Sequence, residues 1–355
     1  MTQKNNVTVV LTPELRLEQA LAEAGIEDPA TVIKLTVAGT LTKNDLDFIT
    51  DKMRKNLKEL DMSGAWVGEI DFAWTFGSCG FTSVILPDSL SIVGNSAFWG
   101  CAKLKSVIIP DSVTEIEGYA FYECRSLTTV VIPASVKKIG KRAFYSCYGL
   151  KSVVIPDTDI IIGVYAFEDC YCLRSVIIPD SVTKICSSAF HNPVRISTNH
   201  PVFATENGVL FNKDKTELIM YFKSLKRNYV IPDSVIKIGR FAFEYCNRLA
   251  SVAIPDSVVE IKEFAFTGCR SLTSIFIPKS VKKIENDAFD ASTSITVHPD
   301  NPVYASENGK LKRKRKNRQP LIINHNGRIK TQNPYFRALP PKRNKRKNRR
   351  GNTVL

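Results

Sequence analysis

Apolar and polar positions along this chain follow a unit of 23 residues. The unit occurs eight times, and each copy starts at a proline: Pro87, Pro110, Pro133, Pro156, Pro179, Pro232, Pro255 and Pro278. Written from Pro110, it has the form Pro-Asp-Ser-Val-x-x-Ile-x-x-x-Ala-Phe-x-x-Cys-x-x-Leu-x-x-Val-x-Ile. A fixed period of about 20 to 50 residues is typical of a solenoid, because one coil cannot bury its own apolar face and must stack on its neighbours.

Spacing within the unit predicts how each coil is built. The β-branched run 127–132 ends before a proline that cannot donate to a ladder, so it predicts a short strand. Its inward side chains are predicted to be Leu127, Val130 and Ile132. The Asp-Ser pair supplies a turn. The Ala-Phe pair fills the core from the opposite, convex side, where the spacing favours a short helical turn. The predicted fold is a β-rich solenoid of the α/β class.

These residues resemble the BspA-type leucine-rich repeat family of bacterial surface proteins, whose unit combines Ile-Pro-x-Ser-Val, Ile-Gly, Ala-Phe-x-x-Cys and Leu. The resemblance covers about residues 57–297. It implies a leucine-rich-repeat solenoid that binds another protein, such as a host matrix or cell-surface protein, in cell adhesion. It also implies a secreted or cell-surface location. No secretory signal is recognisable near Met1, so a cytoplasmic location stays open.

Segments outside the repeats divide the chain further. Residues 1–56 alternate strand-like and helix-like runs and are predicted to cap the solenoid. Repeats occupy 57–197 and 230–297, separated by a predicted β-hairpin insertion at 198–229. The insertion begins with Asn199-His-Pro-Val-Phe-Ala-Thr-Glu-Asn-Gly208, and Asp300-Asn-Pro-Val-Tyr-Ala-Ser-Glu-Asn-Gly309 repeats this motif. Residues 298–311 are therefore predicted to start a second, incomplete insertion.

Basic residues are concentrated at the end of the chain. Seventeen of the 49 Lys and Arg residues, and none of the 35 Asp and Glu residues, lie at or after Lys310. Blocks of like charge repel, so residues 312–355 are predicted to form a basic disordered tail. One interpretation is an arm that binds nucleic acid or another anionic surface. The alternative is a tail unrelated to the function of the repeats. No run of residues is long and apolar enough for a membrane span.

The composition gives little support for a catalytic, cofactor or metal site. Most cysteines recur at one repeat position, which predicts buried free thiols. The four histidines, His191, His200, His298 and His325, form no catalytic constellation that spacing supports. The Cys170-Tyr-Cys172 pair lacks a second paired motif, which argues against zinc. We therefore expect a non-enzymatic protein.

Alternation along the strands predicts two columns of outward side chains, which together we call the strand face. One column carries hydroxyls and the other is apolar, and a contiguous apolar stripe usually marks an interaction site. The predicted protein-binding residues are Ile85, Ile108, Thr129, Val131, Ser152, Val154, Ser175, Ile177, Ser251, Ser274 and Phe276. The alternative interpretations are β-branched residues that merely favour strands, and a scaffold whose repeats serve assembly.

Overall fold

The computed structural model describes residues 5–174, 176–186, 188–223 and 225–314. The compact unit that ends at Arg313 is a β-solenoid with two rows of parallel strands. Most of the predicted basic tail, residues 315–355, lies outside the described residues. The predicted solenoid fold is confirmed, with its cap and its hairpin insertion.

The first row consists of the strands predicted from the β-branched runs. Neighbouring coils pair in parallel one repeat apart where the period is unbroken, as in Thr129 with Ser152. Leu127, Val130 and Ile132 are at most 2% exposed, which confirms the predicted inward face. The strands of the first row are Glu59–Asp61, Ser83–Ile85, Ser106–Ile108, Thr129–Val131, Ser152–Val154, Val176–Ile177, Val194–Arg195, Asn228–Val230, Ser251–Ala253, Ser274–Ile277 and Ser294–Val297.

The second row lies on the other side of the core and was not predicted as strands. Each of its repeat strands is two residues long, with one side chain facing inward and one facing outward. Two residues are too few for an alternating pattern to be recognised. The strands are Ile92–Val93, Glu115–Ile116, Lys138–Ile139, Ile161–Ile162, Lys184–Ile185, Glu217–Met220, Lys237–Ile238, Glu260–Ile261 and Lys283–Ile284.

Stacked aromatic rings form the centre of the core. The repeat phenylalanines from Phe76 to Phe190 stack with ring centroids 5.1 to 5.3 Å apart. The Ala-Phe segments differ in detail from the predicted short helical turns, because they are successive hydrogen-bonded turns. The residue before each Ala-Phe pair adopts a left-handed conformation, with φ of 59° at Tyr119 and 58° at Tyr165. That conformation interrupts any helix.

The cap continues the first row rather than standing apart from it. Its strands are Asn6–Leu11 and Lys34–Thr40, and the second of these pairs with Glu59–Asp61 and with the short strand Ala65–Trp66. Its helical segments are Leu17–Glu23, the 3-10 turn Pro29–Thr31, and Lys43–Phe48 continuing as a π-helical turn Ile49–Met53. The buried Asp45 carboxylate accepts the Leu17 N–H at 2.9 Å and so ties the two α-helices together.

The two copies of the insertion motif start with the same bonding pattern made by different residues. His200 Nδ1 accepts the N–H groups of Val202 and Phe203, and its other nitrogen lies 3.1 Å from the Pro179 carbonyl. Asn301 replaces it in the second copy: its Oδ1 accepts two backbone N–H groups and its Nδ2 donates to Pro278. Both side chains are fully buried. The motif therefore conserves a bonding geometry, not a residue type.

Each motif then forms an antiparallel hairpin. The first pairs Phe203–Glu206 with Val209–Asn212, and the second pairs Tyr304–Glu307 with Lys310–Arg313. The last strand thus extends two residues beyond the predicted boundary at 311. After the first hairpin, Glu217–Met220 joins the second row and pairs in parallel with Lys237–Ile238. Tyr221 then stacks on Phe243 at 5.1 Å, so the insertion ends by supplying a modified coil.

Candidate functional site

An unbroken apolar column runs along the first row on its outward side. Ile108, Val131, Val154 and Ile177 are 57%, 63%, 56% and 68% exposed, whereas Ile85 is half-buried. Ile85 pairs with Ile108, and Val131 pairs with Val154. At a strand spacing of about 4.8 Å, five such side chains form a stripe about 19 Å long.

Charged residues bound this column at both ends. Asp61 pairs with Ile85, and Arg195 pairs with Ile177. Arg195 could not be predicted as a member of this column, because the strand Val194–Arg195 follows a proline and lies outside the 23-residue register. The apolar column of the first block of repeats therefore has defined limits.

The neighbouring column carries the predicted hydroxyl groups. Thr129 and Ser152 are exposed and pair across adjacent strands. The Ser106 hydroxyl donates to the Ser83 hydroxyl at 3.1 Å. Ser175, the next predicted member, lies outside the described residues. The strand face thus presents hydrogen-bonding groups beside an apolar stripe, the combination that fixes orientation in protein interfaces.

After the insertion, the two columns resume in the second block of repeats. Ser251 and Ser274 are exposed, and the Ser251 hydroxyl donates to Asn228 Oδ1 at 2.9 Å. Val230 and Phe276 are 73% and 47% exposed. The Phe276 ring also lies edge-on to His298, with centroids 6.1 Å apart. The apolar column is less regular here, since Ala253 contributes only a methyl group.

Outward positions of the second row carry charges that pair across coils. Lys138 Nζ lies 2.6 Å from Glu115 Oε1. In the second block, Glu260 lies between Lys237 and Lys283, at 3.4 and 2.5 Å. The hydrogen bond with Lys283 is the largest of the causes that lower the pKa of Glu260. These outward charges are therefore paired within the molecule, and the apolar outward residues of this row, Ile92 and Ile161, are separated from each other by charged ones.

The repeated cysteines have a structural role. All nine described cysteines are free, and seven are buried, as predicted; Cys172 is exposed and Cys186 half-buried. Each buried repeat thiol donates to the carbonyl of the aromatic residue one coil earlier, as Cys101 does to Phe76 at 3.0 Å and Cys269 to Phe243 at 2.9 Å. Burial raises the pKa of Cys79 to about 11 and that of Cys269 to about 12.

A polar cluster that the sequence analysis missed lies where the first block meets the insertion. The Glu168 carboxylate is 2% exposed, and its Oε1 lies 2.5 Å from Lys223 Nζ and 3.3 Å from His191 Nδ1. Asp169 Oδ1 lies 3.7 Å from the same histidine nitrogen. Burial acts to raise the pKa of Glu168, but His191 and Lys223 outweigh it and hold this pKa below its usual value.

A second buried carboxylate stands beside this cluster. Glu244 accepts hydrogen bonds from the Tyr165 hydroxyl and from Ser188, and so joins the second block to the first. Burial raises the pKa of Glu244, partly offset by these bonds. One signal for the first cluster was present in the sequence: Glu168 and His191 are 23 residues apart, so they occupy the same position in adjacent coils.

Stacked coils of 23 residues with two parallel strand rows define a repeat solenoid of the leucine-rich class. The profile of the BspA-type leucine-rich repeat region matches residues 73–197 and 220–301, with six copies. The chain therefore belongs to the BspA-type leucine-rich repeat family. No curated protein sequence matches it.

Several solved structures are similar to this chain. A leucine-rich repeat protein from Eubacterium ventriosum is 23% identical, with 74% of this chain and 66% of that one covered, and a TM-score of 0.46. The pneumococcal vaccine antigen PcpA is 20% identical, with 75% and 69% covered, and a TM-score of 0.51. A leucine-rich cell surface protein from Faecalibacterium prausnitzii is 25% identical, with 72% and 75% covered, and a TM-score of 0.49. The chain spans just under two thirds of the Eubacterium protein.

Leucine-rich repeat proteins generally bind other proteins or are associated with surfaces, and their fold is typically non-enzymatic. Within the described part of the chain, no helix combines the length and the apolar character that crossing a membrane requires.

Proposed function

We propose that this protein is a non-enzymatic binding module that engages another protein through the strand face, in adhesion at a cell surface. The observation that supports this most strongly is the apolar column from Ile85 to Ile177. Its four C-terminal members are each more than half exposed. An exposed contiguous apolar stripe rimmed by polar groups is typical of an interaction site.

The second row weakens the interpretation that these residues only favour strand formation. Its outward positions have similar parallel strand geometry, yet most of them in the first block hold charged residues, Glu115, Lys138 and Lys184, with Ile92 and Ile161 as the exceptions. Strands of this solenoid therefore form with charged outward side chains. Apolar residues at the outward positions of the first row need another explanation, and contact with a partner supplies one.

The partner proposed is a protein with a complementary apolar ridge, such as a matrix or cell-surface protein. A ridge about 19 Å long would cover the five apolar side chains, with the hydroxyl column beside it as a polar rim. Aromatic anchors on the partner would fit best, because such residues dominate the energetics of interfaces. Location at the cell surface is part of this proposal and accords with the family.

Site-specific photo-crosslinking tests the proposal. A photoreactive amino acid replaces Val131 or Ile177 on the strand face, and Lys138 on the second row as the matched control. After illumination with a bacterial surface or host matrix extract, a specific adduct is expected from the strand-face positions alone. Equal adducts from all three positions, or adducts from Lys138 alone, would contradict the proposal. An adduct with a second copy of this chain would instead support the scaffold interpretation.

Binding through the basic end of the chain is the second candidate, and the charge distribution favours it. Residues 1–309 carry 32 basic and 35 acidic groups, whereas the remainder carries 17 basic groups and no acidic ones. Deletion of residues 315–355 removes 13 of these 17 basic groups and should strongly weaken any salt-sensitive association with nucleic acid, because phosphate contacts depend on this excess. A salt dependence as steep in the truncated protein as in the full chain would exclude residues 315–355 as its source.

A further inference from the structure

The cluster at Glu168 brings three metal-ligating side chains of different types together. One donor atom from each of Glu168, Asp169 and His191 lies within 4.8 Å of the other two. His191 Nδ1 is 3.3 Å from Glu168 Oε1 and 3.7 Å from Asp169 Oδ1. An imidazole nitrogen with two carboxylates is a donor set that zinc accepts.

The spacing of these atoms fits a tetrahedral ion. Zinc lies about 2.0 to 2.2 Å from nitrogen and oxygen ligands, so neighbouring donors on a tetrahedron are about 3.3 to 3.5 Å apart. The two observed separations, 3.3 and 3.7 Å, lie close to this range. Two of the three separations therefore already suit an ion, and the third, between the carboxylate oxygens, is within 4.8 Å.

The second oxygen of the Glu168 carboxylate provides an observation that is independent of the donor spacing. Its side chain is 2% exposed, and its Oε2 is buried with no hydrogen-bond partner among the described residues. Leaving a buried charged oxygen unpaired is costly, and native proteins seldom do so without a reason. Oε1 is already paired with Lys223 and His191, so a cation that also contacts Oε2 would remove this cost.

A route to the cluster exists from solvent. Asp169 and His191 line an open cleft of about 470 Å³, together with Tyr145, Tyr171 and Tyr245. The Tyr171 ring meets the His191 ring edge-on, with centroids 4.7 Å apart, which limits rotation of the imidazole. Lys223 also lines the cleft, and its ammonium group already contacts Glu168 at 2.5 Å.

We propose that Glu168, Asp169 and His191 form a binding site for a divalent transition-metal ion, with zinc as the representative ion. Lys223 competes with the metal for Glu168, since both neutralise the same carboxylate. Binding of the ion displaces the ammonium group. Because Lys223 belongs to the insertion while Glu168 belongs to the first block, the metal would also alter the contact that joins these two parts of the solenoid.

Calorimetric titration with zinc chloride tests the site in the full chain. Cys172→Ser serves as the background, because it removes the exposed thiol that would otherwise bind zinc. We expect one site in this protein. His191→Ala and Asp169→Asn should each weaken binding more than about 10-fold, because even loss of an outer partner of a ligand typically costs about 10- to 100-fold. His298→Ala is the matched control and should change nothing.

The Lys223→Met substitution tests the proposed competition between Lys223 and the metal for Glu168. Removing the competing charge should tighten zinc binding, whereas a lysine that merely stabilises the fold would not inhibit binding. Zinc should also raise the thermal midpoint of the background protein and not that of His191→Ala. The proposal is overturned if neither the background protein nor Lys223→Met binds zinc. It is also overturned if His191→Ala binds zinc as tightly as its parent, or if His298→Ala weakens zinc binding as much as His191→Ala does.

Discussion

The two strand rows of the solenoid share a parallel geometry and a common core, but their outward surfaces differ. In the second row, Glu115 and Lys138 pair across coils at 2.6 Å. In the first row, Val131 and Val154 occupy comparable outward positions and are 63% and 56% exposed. Charged pairs thus cover much of the outward surface of the second row, where Ile92 and Ile161 are single apolar positions, whereas the first row leaves five neighbouring apolar side chains facing outward.

This difference separates what the fold requires from what a partner requires. Inward residues of both rows are buried hydrophobic side chains, as Val130 and Ile139 show. The core does not determine the outward residues, since strands of the second row form with charged pairs at their outward positions. An apolar column kept over five coils therefore points to a use outside the molecule.

Alkaline pH should lower the free energy of unfolding more than any change described below, because the core that both rows enclose contains buried thiols. Burial raises the pKa of seven thiols, to about 11 for Cys79 and about 12 for Cys269, from an ordinary value of 9.0. Thiols of the unfolded chain ionise first as the pH rises, so the stabilising contribution is complete below pH 9 and is lost above it. Each thiol contributes up to about 1.4 kcal/mol per pH unit.

Urea unfolding under reducing conditions at pH 7, 9 and 10 measures this loss. We expect a flat response up to about pH 9 and a steep fall beyond it. Cys124→Ala combined with Cys147→Ala should make the fall shallower, because two of the titrating groups are removed. Equal stability at pH 7 and pH 10 would show that burial of the thiols has little influence on folding.

Phe144→Ala should have the next largest effect. Phe144 is fully buried and stacks on Phe121 and Phe167, each 5.1 Å away, so truncation leaves a cavity between three coils. The expected cost is about 3 to 5 kcal/mol of unfolding free energy. Tyr145→Ala is the neighbouring control and should cost clearly less, because the half-buried ring stacks only near the surface. Similar losses in urea melts would contradict the assigned inward face.

Much of this architecture follows from the repeat period. Because coils pair one repeat apart, the period alone predicts that Val131 neighbours Val154, and alternation predicts that both face outward. The strands of the second row were not predicted, because strands such as Lys138–Ile139 are too short to show alternation. The strand Val194–Arg195 was not predicted, because the repeat is broken there.

The polar cluster shows a different limit of sequence reasoning. Glu168 and His191 are one period apart, so their proximity was open to prediction. Lys223 reaches them through the insertion, whose path no spacing determines. Its third strand, Glu217–Met220, returns to the second row and so carries Lys223 to the first block. Contacts across the insertion therefore required the structure.

A glutamate in place of Ile161 should stabilise the protein slightly, and this tests whether the outward surfaces of the two rows differ. Ile161 lies between Lys138 and Lys184 in the second row, so Ile161→Glu should create cross-strand ion pairs. The expected gain is about 0.2 to 1 kcal/mol in unfolding free energy. Val154→Glu is the matched change in the first row and should bring no gain, because its neighbour Val131 is apolar. Equal gains in urea melts at low salt would indicate that the two outward surfaces are alike.

The central claim, that the strand face binds a protein, is tested most directly by titration of the crosslinked partner against a triple variant. Val131→Lys, Val154→Lys and Ile177→Lys together should leave the thermal midpoint nearly unchanged, because these side chains lie outside the core. The variant should weaken binding by at least about 2 kcal/mol, or about 30-fold in Kd, since it places charges at the centre of the contact.

Ile92→Lys in the second row is the control for this measurement, because the new lysine can pair with Glu115. The control should bind the partner like the parent protein, and the triple variant should not. If the folded triple variant keeps the parent's Kd while the control loses affinity, the strand face is not the binding surface.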